Sequence, residues 1–141
     1  MTNQQACLYA VDDDEDDQLI LRIALKGHPE YELVCFSSGE ALLARLATLA
    51  SRQLPQLILL DLDMPGMHGY QVLETLKARP AWQSIPVLIL SGTPPDQMAE
   101  KAYSLGASAF ISKPNTFSQL QDWLAPTCAF WLPSPDSSLI P

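Results

Sequence analysis

Five short apolar runs, each about one strand and one helix length from the next, constrain the fold of this chain most. They occupy residues 7–11, 31–36, 57–60, 87–90 and 109–111. Runs that are apolar at nearly every position are typical of strands with both faces buried, whereas a strand with one wet face alternates apolar and polar residues. The sequence therefore predicts five strands of a fully covered sheet.

Each predicted strand is followed by a segment in which apolar residues recur at the spacing of a helix. The first such segment carries Leu19 and Ile23, and the last carries Phe117, Leu120 and Leu124. Regular alternation of strands and helices favours parallel strands, because a helix returns the chain to the edge where the next strand begins. We therefore expect an α/β fold: a five-stranded parallel sheet, doubly wound as (βα)5, with helices on both faces.

The composition is that of a single folded domain. The chain has 141 residues, of which 48% are apolar and 17% are charged, and this is enough to bury a core without disulfides. Its formal net charge is −8, and six of the sixteen acidic residues lie at positions 12–17. Because nucleic-acid binding depends on clustered Lys and Arg, this charge balance argues against a nucleic-acid partner.

The cysteines and the N-terminus indicate where the protein resides. Cys7, Cys35 and Cys128 are an odd number without CxxC spacing, so we interpret them as reduced core residues. The first residues lack a basic segment followed by an apolar leader, and no stretch reaches the ~18 apolar residues that a membrane span needs. We expect a soluble, cytoplasmic protein with no membrane partner.

Four of the five predicted strands end in residues that can carry chemistry. These are Asp12 and Asp13 after the first strand, Asp61 after the third, Ser91 after the fourth and Lys113 after the fifth. Ligands of open parallel sheets bind beyond the carboxyl ends of the strands. We therefore expect three carboxylates, a hydroxyl and an ammonium to converge in one site.

This set of side chains favours a divalent cation and a phosphoryl group. Three carboxylates in close contact repel one another unless a cation offsets their charge, and oxygen ligands without His or Cys favour Mg²⁺. Mg²⁺ is commonly shared with a phosphate, which makes Asp61 a candidate nucleophile towards phosphorus. Ser91 and Lys113 are then candidates for binding the other phosphoryl oxygens. The predicted product is an aspartyl phosphate.

Four stretches of the sequence resemble the response-regulator receiver domains of two-component signalling, in particular the chemotaxis type. They read LYAVDDDEDD, LILLDLDMPGMHGYQVL, IPVLILSG and GASAFISKP, and with the helices between them they cover the chain from Cys7 to about Trp131. The resemblance implies a flavodoxin-like sheet with strand order 2-1-3-4-5. It also implies a stand-alone switch that takes a phosphoryl group from a sensor histidine kinase or a histidine phosphotransfer protein and presents a changed surface to a downstream protein target.

The resemblance assigns roles to the acidic residues. It implies that Asp12 and Asp13 form the acidic pair and that Mg²⁺ is held by Asp13, the Asp61 side chain and the Asp63 backbone carbonyl, with Asp12 acting through water. It also implies that Asp61 is the phosphoacceptor. Asp63 is a departure from the family pattern, because it adds a charge beside that residue.

The remaining roles concern the phosphoryl group and its signal. The resemblance implies that Ser91 reorients towards the phosphoryl group, that Lys113 pairs with it and that Phe110 is the aromatic switch residue. An aromatic residue in a strand is also typical of a core position, so Phe110 has both interpretations. The histidines His28 and His68 sit in turn-like contexts without metal-ligand spacing and are assigned no role.

Two other functions fit parts of the sequence. Asp61-Leu62-Asp63 resembles the DxD motif of Mg²⁺-dependent phosphohydrolases of the haloacid-dehalogenase type, but those enzymes carry DxD near the N-terminus and their acidic pair late. The usual Thr or Val is also replaced by Pro65, and no cap segment is present. A receiver-shaped binding module that no longer needs phosphate is the other alternative, and the complete set of site residues argues against it.

The two ends of the receiver-like stretch are interpreted separately. Residues 14–17 are expected to be solvated acids at the positive N-terminus of the first helix. Residues 1–131 are expected to form the receiver domain, and residues 132–141 a Pro-rich tail. The ending Phe130-Trp131-Leu132 resembles the extended C-terminus of receivers paired with phytochrome kinases. We hypothesise that these three apolar residues continue one face with the fourth helix, the fifth strand and the fifth helix, and that phosphorylation tunes a homodimer there.

Overall fold

The computed structural model describes residues 5–64, 68–92 and 95–132. Its strands are β1 (Ala6–Val11), β2 (Tyr31–Phe36), β3 (Leu57–Asp61), β4 (Val87–Ser91) and β5 (Ala109–Ser112). Its α-helices are α1 (Glu15–Leu25), α2 (Gly39–Leu46), α3 (Gly69–Ala78), α4 (Pro95–Ser104) and α5 (Phe117–Trp131), and a single turn of 3₁₀-helix covers Ser51–Gln53. Within the described ranges, no helix is long and apolar enough to cross a membrane.

The five strands form one parallel sheet in the order β2-β1-β3-β4-β5. The predicted fold class and the strand order are therefore confirmed. Each predicted strand is present, and β3 and β4 extend one residue further than their apolar runs, to Asp61 and Ser91. The backbones of Asp61 and Ser91 therefore belong to the sheet and not to a loop.

The middle strand β3 shows why the centre of the sheet is apolar. Its side chains alternate between two cores, so that Ile58 and Leu60 pack with α2, α3 and α4, whereas Leu57 and Leu59 pack with α1 and α5. All four side chains are at most 1% exposed. Burying each of them contributes roughly 1.5–3 kcal/mol. In β3 the only polar residue, Asp61, is the last residue of the strand, which positions the site there.

In the part of the chain that the structure describes, side chains cap four helix N-termini. Asp14 accepts hydrogen bonds from the backbone N–H groups of the first turn of α1, and acidic residues fill that turn, as expected. Ser38 and Thr116 cap α2 and α5 in the same way. His68, which was assigned no functional role, caps α3: its Nδ1 accepts a hydrogen bond from the N–H of Tyr70 at 3.1 Å.

The end of α5 differs from the expected single apolar face. Leu132 is 3% exposed and Cys128 is fully buried, and both pack with Leu124 against the α1 side of the sheet, where Trp131 is partly buried. Phe130 alone of the three apolar residues at this end is strongly exposed, at 78%. The interpretation of Phe130-Trp131-Leu132 as one surface is therefore wrong, because helical geometry points them in different directions. Of the tail predicted at residues 132–141, residues 133–141 lie outside the described residues.

The cysteines agree with the expectation of reduced thiols. All three are free, but only Cys128 is buried, whereas Cys7 and Cys35 lie half-buried beside the core. Burial raises the pKa of Cys128 to about 11, and burial together with Glu32 does the same for Cys7. These thiols are therefore protonated and unreactive at neutral pH.

Gly69, the first residue of α3, is required by a close approach of two backbones. A Cβ atom at this position would lie 2.8 Å from the Cα of Leu62 and 3.0 Å from the carbonyl oxygen of Asp61. Neither is the end of a flexible side chain, so the two segments would have to separate. Gly69 therefore lets α3 begin directly against the residue that ends β3.

The substitution Gly69→Ala should destabilise the fold by about 1–3 kcal/mol, the usual cost of overpacking a rigid contact. Gly27→Ala is the matched control, because a Cβ there meets nothing within 4 Å. Urea denaturation of both variants and the wild type measures the difference in the free energy of unfolding. Equal effects of the two substitutions would contradict the proposed backbone contact.

Candidate functional site

Three carboxylates converge at the carboxyl ends of β1 and β3, as the sequence predicted. Asp12, Asp13 and Asp61 each offer one oxygen, and these oxygens all lie within 4.8 Å of one another. Asp12 and Asp61 are buried, whereas Asp13 is exposed and leaves one side accessible. Oxygen donors at this spacing, with no nitrogen or sulfur donor among them, fit a hard divalent cation.

Lys113 lies among these carboxylates. Its Nζ atom is 3.1 Å from Asp61 Oδ2, 3.6 Å from Asp12 Oδ2 and 3.5 Å from Asp17 Oδ2. Burial lowers the pKa of Lys113, but Asp61, Asp12 and Asp17 more than offset this effect and raise it above its ordinary value. The ammonium is therefore charged at neutral pH and offsets part of the acidic charge. The sequence interpretation missed Asp17, which it assigned to the solvated end of α1.

Asp12 is the carboxyl group that the site perturbs most. Burial raises its pKa from 3.8 to about 7, with smaller contributions from Asp61 and Asp17, whereas the backbone of Asp14 and Lys113 lower it. The neutral acid therefore competes with the carboxylate near neutral pH. A divalent cation binds only the carboxylate form, so metal binding here would displace a proton.

Gln18, a buried residue of α1, was not found by sequence analysis. Its Nε2 donates to the carbonyl oxygen of Asp12 at 2.6 Å and to Ser37 Oγ at 3.1 Å. The amide thus ties helix α1 to the turns that follow β1 and β2. It fixes the backbone from which the acidic pair projects. A buried glutamine on a helix gives no pattern that distinguishes it from an exposed one in a single sequence.

Ser91 reaches the acidic cluster through Asp63. The Ser91 side chain is fully buried, and its hydroxyl donates to Asp63 Oδ2 at 3.1 Å. The backbone N–H of Asp63 in turn donates to Asp61 Oδ1 at 3.0 Å. The structure therefore brings the predicted hydroxyl next to the site, with an acidic side chain as its hydrogen-bond partner.

Phe110 lies in the packed core on the α3 and α4 side of the sheet. It is 8% exposed and belongs to the same buried cluster as Ile89 and Ala102. Its backbone N–H donates to the Tyr103 hydroxyl at 3.0 Å, so α4 is tied to β5 at this residue. The burial agrees with the core interpretation of Phe110, while its role as a switch stays a prediction.

An open cleft of about 180 Å³ adjoins the site between α1 and the start of α5. Asp17 and Lys113 supply its charged side, while Ile20, Phe117 and Leu120 supply an apolar side. The carboxylates and the ammonium are therefore approachable from the face of the molecule where α1 and α5 begin.

The sequence model of one protein family matches this chain. It is the response regulator receiver domain, and the match covers residues 8–125. The chain belongs to this family. The family acts in signalling rather than in metabolic catalysis, and the haloacid-dehalogenase alternative gains no support.

Individual relatives agree with this assignment. The response regulator PleD of Caulobacter vibrioides is 37% identical over 111 residues, which are 77% of this chain but only 23% of PleD, so the chain spans about a quarter of that protein. The response regulator Rcp1 of Synechocystis sp. is 27% identical over 135 residues, which are 93% of this chain and 92% of Rcp1.

Solved structures are similar over nearly the whole chain. The phosphorylated cyanobacterial phytochrome response regulator RcpA superposes with a TM-score of 0.82 at 28% identity, covering 93% of this chain and 100% of that one. The Mn²⁺-bound form of Rcp1 superposes with a TM-score of 0.79 at 26% identity, covering 92% and 99%. The chain thus shares its fold and order of elements with response regulators of nearly its own length.

The raised pKa of Asp12 makes the stability of the metal-free protein depend on pH. A carboxyl group whose pKa is higher in the folded state stabilises the fold fully below the unfolded pKa of about 4, and this contribution is lost as the pH rises to about 7. The variant Asp12→Asn keeps the neutral shape and should therefore gain about 1–3 kcal/mol relative to the wild type between pH 5 and pH 8.

Urea denaturation in the presence of a chelator, repeated across this pH range, measures the effect. Asp16→Asn is the control, because it removes the same charge from an exposed position on α1. Stability curves of Asp12→Asn and the wild type that run parallel from pH 5 to pH 8 would show that burial does not perturb Asp12.

Proposed function

We propose that this receiver domain is a phosphorylation switch whose phosphoacceptor is Asp61. The observation that carries the proposal is the convergence of Asp12, Asp13 and Asp61, with the Lys113 ammonium 3.1 Å from Asp61 Oδ2. An Asp61 oxygen attacks the phosphorus of a phosphohistidine, the phosphorus–nitrogen bond breaks and its electron pair stays on the imidazole. The product is an acyl phosphate on Asp61, and the domain catalyses only its own phosphorylation and dephosphorylation.

Mg²⁺ is the cation that we propose for the acidic cluster. Asp13, the Asp61 side chain and the Asp63 backbone carbonyl would hold it, and Asp12 would act through water. The cation would neutralise developing charge on the phosphoryl oxygens. The fit of the three carboxylates to a hard cation supports this assignment, as does the Mn²⁺-bound form of the relative Rcp1.

Lys113 and Ser91 are the proposed donors to the phosphoryl oxygens. Each charge-assisted hydrogen bond is worth roughly 1.5–3 kcal/mol, which is enough to bias two conformations that differ by a few kcal/mol. Phe110 would move with Ser91 and alter the face formed by α4, β5 and α5. A downstream protein would then bind that altered face.

Helix α1 offers a docking surface for the phosphoryl donor. It begins at the acidic cluster and exposes Leu19 and Ile23, which are 53% and 49% accessible and lie one helical turn apart. An apolar pair beside acidic residues suits a protein with an apolar and basic surface. A sensor histidine kinase or a histidine phosphotransfer protein is therefore the proposed partner, and a nucleic acid is not.

The relatives support further proposals about context. RcpA is a phytochrome response regulator and is 28% identical to this chain, so we propose a phytochrome-type kinase as the source of the phosphoryl group. A cytoplasmic location is proposed together with this kinase partner. A homodimer at the end of α5 also stays a prediction. Phe130 is the residue with which to test it, since a truncation would also remove the buried Leu132.

Incubation with acetyl phosphate and Mg²⁺ should add the mass of one phosphoryl group, and Asp61→Asn should abolish this addition because the amide is not a nucleophile. Intact-protein mass spectrometry measures it, with Asp16→Asn as the control for the loss of one negative charge. An undiminished mass shift in Asp61→Asn would remove the proposed phosphoacceptor.

Mg²⁺ binding should be lost or weakened at least about tenfold in Asp13→Ala, because the cation keeps water on its other positions and has few protein ligands to lose. Titration calorimetry of the unphosphorylated protein measures the affinity, and Asp16→Asn again serves as the charge control. Asp13→Ala with the affinity of the wild type would exclude Asp13 as a ligand.

A further inference from the structure

The hydrogen bond between Ser91 and Asp63 joins a buried donor to an exposed acceptor. Ser91 is fully buried at the end of β4, whereas Asp63 lies on the exposed side of the turn that follows β3. The distance from Ser91 Oγ to Asp63 Oδ2 is 3.1 Å. A hydrogen bond to a charged acceptor is stronger than one between neutral groups, so this contact holds the hydroxyl proton in a defined direction.

Asp63 is also attached to the proposed phosphoacceptor. Its backbone N–H donates to Asp61 Oδ1 at 3.0 Å, so the side chain that holds Ser91 belongs to the residue whose backbone binds Asp61. A serine hydroxyl carries a single proton. Ser91 therefore cannot give that proton fully both to Asp63 and to a phosphoryl oxygen on Asp61.

We propose that Asp63 is a positioning residue that holds the Ser91 hydroxyl in a resting direction, and that phosphorylation of Asp61 must break this bond before Ser91 can bind the phosphoryl group. The inference rests on the proposed function of Asp61. In this arrangement the switching step exchanges one anionic acceptor for another. Asp63 therefore sets how strongly the resting state resists switching.

Charge explains how phosphorylation releases the bond. A phosphoryl group on Asp61 adds negative charge beside the Asp63 carboxylate, and the two groups repel each other. The Lys113 ammonium is 3.1 Å from Asp61 Oδ2, which is close enough for it to pair with a phosphoryl group on that side chain. Phosphorylation thus weakens the hydrogen bond from Ser91 to Asp63 and supplies phosphoryl oxygens as a new acceptor.

Beryllofluoride, a mimic of the phosphoryl group, tests the proposal without turnover. Four proteins form a cycle: the wild type, Asp63→Ala, Ser91→Ala and the double variant. Their apparent affinities for beryllofluoride at saturating Mg²⁺ are read from backbone amide resonances by NMR. Asp63 is exposed and Ser91→Ala is a small change, so all four are expected to fold, and thermal melting checks this.

The expected result is a gain that depends on Ser91. Asp63→Ala should tighten beryllofluoride binding about tenfold when Ser91 is present and at most about threefold in the Ser91→Ala background, where only the loss of charge remains. Asp63→Asn removes the charge but keeps an oxygen acceptor. Its affinity for beryllofluoride should therefore lie between that of the wild type and that of Asp63→Ala. This ordering is one that a general loss of structure would not produce.

The resting protein gives a second measurement. Without beryllofluoride, the Phe110 amide resonance of Asp63→Ala should already be displaced towards its position in the beryllofluoride-bound wild type. Equal gains of Asp63→Ala in the two backgrounds, or a Phe110 resonance that does not move, would overturn the proposal and leave the role of Asp61 intact. A wild type that does not bind beryllofluoride would instead remove the proposed function, and this inference with it.

Discussion

The mutual repulsion of three carboxylates at one end of the sheet is the constraint on which the rest of the site depends. The chain brings Asp12, Asp13 and Asp61 together because the apolar strands β1 and β3 are parallel neighbours, so their carboxyl ends lie side by side at one edge of the sheet. Lys113 offsets part of the charge, and burial shifts Asp12 towards its neutral form. A divalent cation would supply the remaining compensation. The sheet thus uses its hydrophobic stability to maintain an arrangement of charges that is unfavourable by itself.

The sequence was sufficient for the fold and for the residues at the strand ends. Strand order followed from the family resemblance, and the meeting of Asp12, Asp61 and Lys113 followed from the geometry of parallel strands, which gather their carboxyl ends at one edge. Asp17, Gln18 and the bond from Ser91 to Asp63 could not be found in this way. Each depends on the rotamer of one side chain, and the pattern of apolar and polar residues does not determine a rotamer.

The end of α5 shows a different kind of error. The apolar residues 130–132 were grouped because they are adjacent in sequence, although a helix turns each residue by about 100° from the one before it. Counting in steps of four from Leu120 through Leu124 and Cys128 leads to Leu132, which is the buried residue. The periodicity that identified the helix therefore also contained the correct face.

The hydrogen bond from the Phe110 N–H to the Tyr103 hydroxyl protects one edge of the sheet. Strand β5 lies at the edge of the sheet, where unpaired main-chain groups can recruit a strand from another chain. Tyr103 occupies one of these donors with a side chain from α4, and β5 has only four residues. Strand addition is thereby disfavoured on this side. A protein that binds the α4 and β5 surface would therefore contact side chains and the helix surface and would not add a strand to the sheet.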